Sequence, residues 1–276
     1  FLTDLTLIKT ILIKDFAKFS DRPNYYNEKD DPLSANLFNM KNPKWKELRQ
    51  KLTPSFSSGK MKFMYPTMLR VGETFMDVME DISLKDAVVD MKEMLARFTT
   101  DIIGTCAFGI ECNSLKNPKS EFRENTKDFF KYVALTNLKV AFAMRFPNLA
   151  RKLGIYLTPL KMQNFFINVV KETVAYREKN NIHRNDFMDM LIDMKNQKTN
   201  NLTIEECCSQ AFVFFVAGFD TSSNTISFAL YELARNPDVQ NKLREEVRIV
   251  LSQYNNEFTY ESLNEMKYLD QVIAGK

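Results

Sequence analysis

The stretch Phe215–Thr225, FVAGFDTSSNT, interrupts what otherwise reads as one long apolar helix. A glycine, an acid and several hydroxyl side chains follow one another, and each weakens a buried helix. On a 100° wheel Phe214, Ala217, Gly218, Thr221, Thr225 and Phe228 share one face. The middle of that face is stripped of bulk, because Ala217 and Gly218 stand where large side chains are expected. Glycine in a helix interior costs about 1 kcal/mol against alanine. Thr221 is placed to donate its hydroxyl to the Ala217 carbonyl four residues earlier, a bond that bends helices. Asp220 lies beside the face, and a carboxylate in apolar surroundings is costly without a partner. Two readings follow. Either the small residues let another helix approach, or something flat and wide lies against the gap. In the second case the hydroxyl and the acid form a small polar groove that holds water or O2 and passes protons.

The rest of the chain narrows the class. Its 276 residues, 45% hydrophobic and 26% charged, have an ordinary soluble composition and suffice for one large domain or two small ones. Lys plus Arg (38) nearly balances Asp plus Glu (35), so no field points to nucleic acid. Seven glycines and nine prolines are too few for the turns of a sandwich or barrel. Cys106, Cys112, Cys207 and Cys208 form no Cys-x-x-Cys pair and read as reduced, buried thiols. The single histidine, His183, excludes a three-histidine metal site and reads as a surface residue. No apolar run approaches the roughly 18 residues a membrane span needs, and no signal peptide is visible.

Helical spacing predicts a mainly α chain with no internal repeat. Helices are expected over Phe1–Phe19, Trp45–Leu52, Met61–Ile82, Met91–Phe108, Glu121–Leu138, Leu160–Asn180 and Asp186–Lys195. Asn24–Asn42 reads as a polar loop with an apolar insert from Leu33 to Met40, and Phe142–Pro159 as irregular. Thr203-x-x-Glu206 has capping-box form and opens the long helix. Asn236-Pro237 ends it and supplies an N-cap and a first-turn proline to a further helix, Pro237–Leu251.

Trp45 and Arg49 are four apart on a helix and share a face. An indole N–H beside a guanidinium offers only donors, which suits a carboxylate. The plainer reading is an arginine stacked on a half-buried tryptophan.

Ala217-Gly218-Phe219-Asp220-Thr221-Ser222 resembles the oxygen-activation motif of the cytochrome P-450 haem-thiolate monooxygenases, [Ala/Gly]-Gly-x-[Asp/Glu]-Thr-[Thr/Ser]. Trp45-x-x-x-Arg49 is similar to the family's propionate-holding pair. The stretches from Lys51 to Lys62 and from Arg97 to Gly109 resemble its insect microsomal branch, the second as a buried structural helix. The motifs stand in family order and separation over nearly the whole chain.

This resemblance implies a single cytochrome P-450 domain over residues 1–276, truncated at both ends, with its fold incomplete. It implies haem as cofactor, with Ala217, Gly218, Thr221 and Thr225 against its plane and Trp45 and Arg49 on a propionate. Asp220 and Thr221 would assist protonation of bound oxygen, and Leu37, Phe38, Phe212 and Phe215 would line a cavity for a lipophilic small molecule. No protein metal ligand is assigned. The resemblance further implies O2 as co-substrate, NADPH used indirectly through an NADPH-cytochrome reductase, and the cytoplasmic face of the endoplasmic reticulum membrane. Phe142, Phe146, Leu149, Ile155 and Tyr156 are expected to touch lipid. Lys41, Lys44, Lys46, Lys51, Lys60 and Lys62 are expected to meet an acidic reductase.

The chain departs from the family at two places. Glu-x-x-Arg is expected after Leu269–Ile273, but Gly275 stands where the Glu belongs, and no cysteine has the context of an axial ligand. Without a thiolate the iron lacks its proximal ligand, so the chain as written is expected to be inactive. The alternative is a non-catalytic truncated helical product without haem. Gly275-Lys276 can be encoded by GGT-AAG, which contains the usual start of an intron. A sequence reading into an intron, or an incomplete gene, is therefore expected, with Glu-Thr-Leu-Arg following residue 274 in the spliced transcript.

Overall fold

The computed structural model describes residues 2–85, 88–199 and 201–275. Phe1 and Lys276, which the sequence reading placed in the first helix and at the intron boundary, lie outside the described residues. Helix α1 (Leu5–Lys9) is extended by a π-helical turn over Thr10–Lys14 and a 3-10 turn over Phe16–Lys18. Next come α2 (Lys44–Leu52), α3 (Ser58–Leu84) and α4 (Met91–Ile103), the last continued by a π-helical turn over Gly104–Phe108. Four short helices follow, α5 (Glu121–Thr126), α6 (Phe129–Leu135), α7 (Asn137–Arg145) and α8 (Pro147–Lys152). Most of the remaining length lies in α9 (Leu160–Asn180), α10 (Phe187–Lys195), α11 (Ile204–Arg235) and α12 (Pro237–Ser252). The short α13 (Tyr260–Glu265) and α14 (Lys267–Ile273) come last. No strand occurs among the described residues, which show one isolated antiparallel bridge, Asn27 to Asp31. The chain is mainly α, as its spacing requires.

Three local expectations change. The single helix expected over Glu121–Leu138 is divided at Asp128 and Thr136, whose backbones leave helical geometry. The Thr136 hydroxyl donates to Tyr132 O at 3.0 Å and its N–H to the same carbonyl at 3.1 Å, closing the last turn of α6. In the region expected to be irregular, α7 and α8 fill residues 137–152. Pro147 opens α8 at its first turn, where the missing N–H costs nothing. Asn236 does not cap α12. Its amide turns back to Glu232 O at 2.8 Å, and Pro237 alone marks the start. The box at α11 forms as expected, with Glu206 N donating to Thr203 Oγ1 at 3.1 Å and Thr203 N to Glu206 Oε2 at 2.8 Å.

The chain forms two compact units, Phe1–Ser57 with Glu124–Phe214 and Ser58–Arg123 with Phe215–Lys276, and α11 contributes to both. In the first unit Phe212 meets Phe129 and Phe166 edge-on, with ring centroids 5.6 and 5.2 Å away. Phe214 lies between Phe187 at 4.1 Å and Phe56 at 5.3 Å. The loop after Pro23 is stitched to residues 151–158 by polar bonds. Tyr25 donates to Ile155 O at 2.7 Å, and Arg151 Nε donates to Tyr26 O at 3.0 Å. Buried Asp31 accepts from Leu157 N and Thr158 N at 2.8 and 2.9 Å, and burial raises its carboxyl pKa.

In the second unit α3 and α4 pack through Val71, Met94 and Leu115, with Phe75 against Phe98 at 5.0 Å. Asp101 ends the turn after α4 by accepting from Ser114 N and Leu115 N at 2.7 and 3.0 Å. Phe215 sits among Phe108, Phe122 and Phe219 at 6.4, 5.1 and 5.2 Å. Glu246 of α12 accepts from Tyr268 N and Leu269 N at 2.6 and 2.8 Å, fixing the first turn of α14.

Arg177 of α9 is buried and bonds two carboxylates at the start of α10, Asp186 and Asp189. Asp189 also accepts from Asn185 N at 2.7 Å. Removing the guanidinium leaves two nearly buried carboxylates without it, a loss of about 3–5 kcal/mol. Arg177→Ala is therefore expected to cost at least about 3 kcal/mol in denaturant unfolding. Arg248→Ala, whose pair with Glu245 is 71% exposed on the arginine side, is expected to shift stability by no more than about 0.5 kcal/mol.

Candidate functional site

The second half of α11 presents two faces. Ala217, Thr221, Ser222, Thr225 and Phe228 are exposed, whereas Phe215, Phe219 and Ser223 are buried in the second unit. Thr221, Ser222, Thr225 and Phe228 line an open cleft of about 1180 Å³, whose far walls include Leu243 of α12 and Leu269 and Ile273 of α14. The threonines at 221 and 225 keep its floor thin, since each Cβ carries two further heavy atoms, and Ala217 is exposed one turn before them.

The hydroxyls along this helix point back to the backbone. Thr221 Oγ1 donates to Ala217 O at 2.6 Å and Thr225 Oγ1 to Thr221 O at 2.8 Å. Ser223 Oγ donates to Asp220 O at 2.9 Å and Ser227 Oγ to Ser223 O at 2.7 Å. With its hydrogen committed to Ala217, the Thr221 oxygen keeps its acceptor lone pairs. The Asp220 carboxylate is half-buried and accepts from Asn224 Nδ2 at 3.0 Å, one turn on. Its partner is local, which answers the cost raised by the sequence.

Gly218 has a different neighbour. A Cβ built there would stand 2.9 Å from Cδ1 and 3.1 Å from Cγ1 of Ile103 at the end of α4. The missing side chain is therefore the space Ile103 occupies, so close helix approach operates at 218. The thin exposed floor operates at 217, 221 and 225. Close helix approach thus accounts for the glycine, while the small residues around it are exposed.

In the first unit, Trp45 is half-buried against Phe16 at 6.1 Å, and Arg49 is exposed on the same side of α2. Among the described residues neither the indole N–H nor the guanidinium has an acceptor. They do not stack on each other as the plainer reading required. An unsatisfied donor-only pair fits an acidic group supplied from outside.

The expected substrate residues are differently placed. Phe212 and Phe215 are fully packed in the aromatic clusters of their respective units. Leu37 is half-buried, and its N–H donates to Gln210 Oε1 of α11 at 2.9 Å. Phe38 is exposed beneath the Arg22 guanidinium. Gln210 and Ser209, which donates to Ala35 O at 2.9 Å, anchor the apolar insert. Sequence reasoning passed over both, and their signal was two adjacent polar side chains inside an apolar run.

Of the expected lipid contacts, Phe146 and Leu149 are exposed, whereas Phe142 and Ile155 pack against Tyr25, Ala143 and Ala150. Lys44 pairs with Glu28 at 3.3 Å, Lys62 pairs with Glu261, and Lys41 and Lys46 are exposed. All four thiols are buried. Burial raises the Cys112 thiol and pushes those of Cys207 and Cys208 up to about 12, opposite to a thiolate ligand. No helix of the described residues is long and apolar enough to cross a membrane.

The "Cytochrome P450" family model matches residues 1–274. The chain belongs to the cytochrome P-450 family. It is 52% identical over 98% of its length to "Cytochrome P450 6a9" of Drosophila melanogaster, of which it covers 55%. It is 51% identical over 99% of its length to "Cytochrome P450 6a8" of the same fly, covering 56% of it. To "Cytochrome P450 6A1" of Musca domestica it is 48% identical over 98% of its length, covering 54%. The chain thus spans little more than half the length of the curated relatives it matches. Its helices are those of a partial cytochrome P-450 fold, and membership implies a haem cofactor. Taken unit by unit, the chemistry suits haem: in the first, donors at Trp45 and Arg49 that no acceptor among the described residues engages, and in the second, exposed small side chains at 217, 221 and 225 of α11.

Gly218→Ala gains about 1 kcal/mol of helix propensity, but overpacking against Ile103 costs about 1–3 kcal/mol. The single change is expected to destabilise the protein, and adding Ile103→Val, which removes Cδ1, to recover at least about 1 kcal/mol of coupling. A double-mutant cycle by thermal unfolding reads this. Additive effects would show that Ile103 does not set the notch.

Proposed function

We propose that the protein is a haem-thiolate monooxygenase that inserts one atom of O2 into a lipophilic small molecule, its domain including all of residues 1–276. The observation that carries this reading is the exposed strip Ala217–Thr221–Thr225, with the Thr221 hydrogen held by Ala217 O and Thr221 itself lining the cleft. Haem, when bound, supplies the redox chemistry in which one oxygen atom enters the substrate and the other leaves as water with two protons and two electrons. Ala217, Thr221 and Thr225 would admit a flat group against this face of α11, and Trp45 and Arg49, in the other unit, would each donate to a propionate. Thr221, its hydrogen given to Ala217 O, would accept a hydrogen bond from a water and so orient it. Asp220, steadied by Asn224, takes protons from solvent and returns them towards Thr221 through water. The axial thiolate is not assigned to any of the four buried cysteines.

Electrons reach the site from NADPH through a reductase, and exposed Lys41 and Lys46 suit an acidic partner. Exposed Phe146 and Leu149 suit contact with the endoplasmic reticulum surface. Leu37 and Phe38 are assigned to the substrate approach, whereas Phe212 and Phe215 shape it only through packing.

In the whole protein, reduction under carbon monoxide is expected to give the thiolate-ligated haem band. Thr221→Ala is expected to keep that band while product formed per NADPH consumed falls, by up to about a hundredfold, the lower end of what a positioned proton-transfer group contributes. Absence of the band, or unchanged yield in Thr221→Ala, removes the reading. Separately, Arg49→Ala is expected to lower haem content at fixed protein concentration, measured by pyridine haemochrome. Full occupancy would exclude Arg49 as a propionate ligand.

A further inference from the structure

Thr99 and Ile103 are four residues apart on α4 and share one face. Ile103 fills the space over Gly218, and Thr99, 4% exposed, reaches the next residue of α11. Its Oγ1 lies 2.7 Å from Phe219 O, against 3.0 Å from Leu95 O and 3.4 Å from Ala96 O of its own helix. One hydroxyl carries one hydrogen, and the nearest acceptor is across the helix interface. The neighbouring Thr100 takes the ordinary course and donates to Ala96 O at 2.7 Å within α4. Thr99 departs from that course where it meets Phe219.

The turn it meets needs an external hold. The carbonyls of Ala217, Asp220 and Thr221 each accept a side-chain hydroxyl from within α11, which loosens their helical bonds. Phe219 O is held from outside instead, and Gly218 beside it is fixed by shape. Each residue turns a helix by 100°. Fixing 218 and 219 against α4 therefore fixes the direction in which Asp220 and Thr221 point.

We propose that Thr99 is a positioning residue, whose hydroxyl sets the rotation of the turn bearing Asp220 and Thr221 through the Phe219 carbonyl. The inference rests on the monooxygenase reading for its effect on turnover, but not for its effect on the helix.

The test uses the whole haem-loaded protein with Thr99→Val, which keeps the shape and removes the hydroxyl, and Thr99→Ser, which keeps the hydroxyl. Hydrogen–deuterium exchange is read at the amides of residues 219–225, together with product per NADPH and the carbon monoxide band. Thr99→Val is expected to keep the band, speed exchange by roughly five- to tenfold, the scale of one neutral hydrogen bond, and lower product per NADPH severalfold. Thr99→Ser is expected to restore both. Exchange unchanged in Thr99→Val, or Thr99→Ser behaving like Thr99→Val, overturns the proposal. Should Thr99→Val not hold haem, Thr99→Ala is compared with Thr99→Ser. Loss in Ala with retention in Ser supports the hydroxyl, and equal behaviour overturns it. Thr221→Ala is run alongside. Unchanged yield there refutes the monooxygenase reading, while the exchange result still judges Thr99.

Discussion

Helix α11 must be a core element along most of its length and thin along one exposed strip. These demands conflict, because side chains that bury apolar area are the ones that would thicken the strip. The contact with α4 resolves the conflict in the second unit. Ile103 enters the space left by Gly218, and Thr99 holds the next carbonyl, so the buried side of the turn is secured by backbone approach and one hydrogen bond. The other side is then free to carry alanine and threonine. A bulkier residue at 218 would push α4 away, and the rotation that exposes Thr221 would lose its reference.

The two units stabilise their polar interiors in related ways. In the first, Arg177 gathers the carboxylates at the start of α10, and Asp31 ties residues 157 and 158 to the loop after Pro23. In the second, Asp101 caps the chain after α4, and Glu93 joins Arg97 and Arg123. Asp31, Asp101 and Asp189 each accept backbone N–H groups where the chain reverses, groups that would otherwise lack acceptors, and Glu93 balances two guanidinium groups. They organise loops and helix ends, whereas α11 itself is held by aromatic packing along both of its halves.

Much of the fold was legible. The 3.6-residue spacing located α2, α9, α10 and α11 closely, and Thr203-x-x-Glu206 gave a cap that forms as written. The division of Glu121–Leu138 was not legible, because Asp128 and Thr136 are both tolerated in helices and neither is the glycine or proline that marks a break, yet both leave helical geometry here. Asn236 misled for a similar reason, since its amide serves a preceding carbonyl as readily as a following N–H. Within the candidate site, Thr221 and Ala217 were paired from sequence alone, because their bond is four residues long. Gln210, Ser209 and Thr99 escaped notice because their partners lie far along the chain.

The sequence by itself determined the family, the helical class and the thinned strip on α11, since periodicity and short motifs are properties of neighbouring residues. Only the tertiary structure decided which small residue serves which purpose. Gly218 and Ala217 are adjacent and both small, yet one meets Ile103 and the other is exposed. Residues 100° apart on a helix meet different surroundings, and what surrounds them is fixed by packing against α4, more than a hundred residues away in sequence.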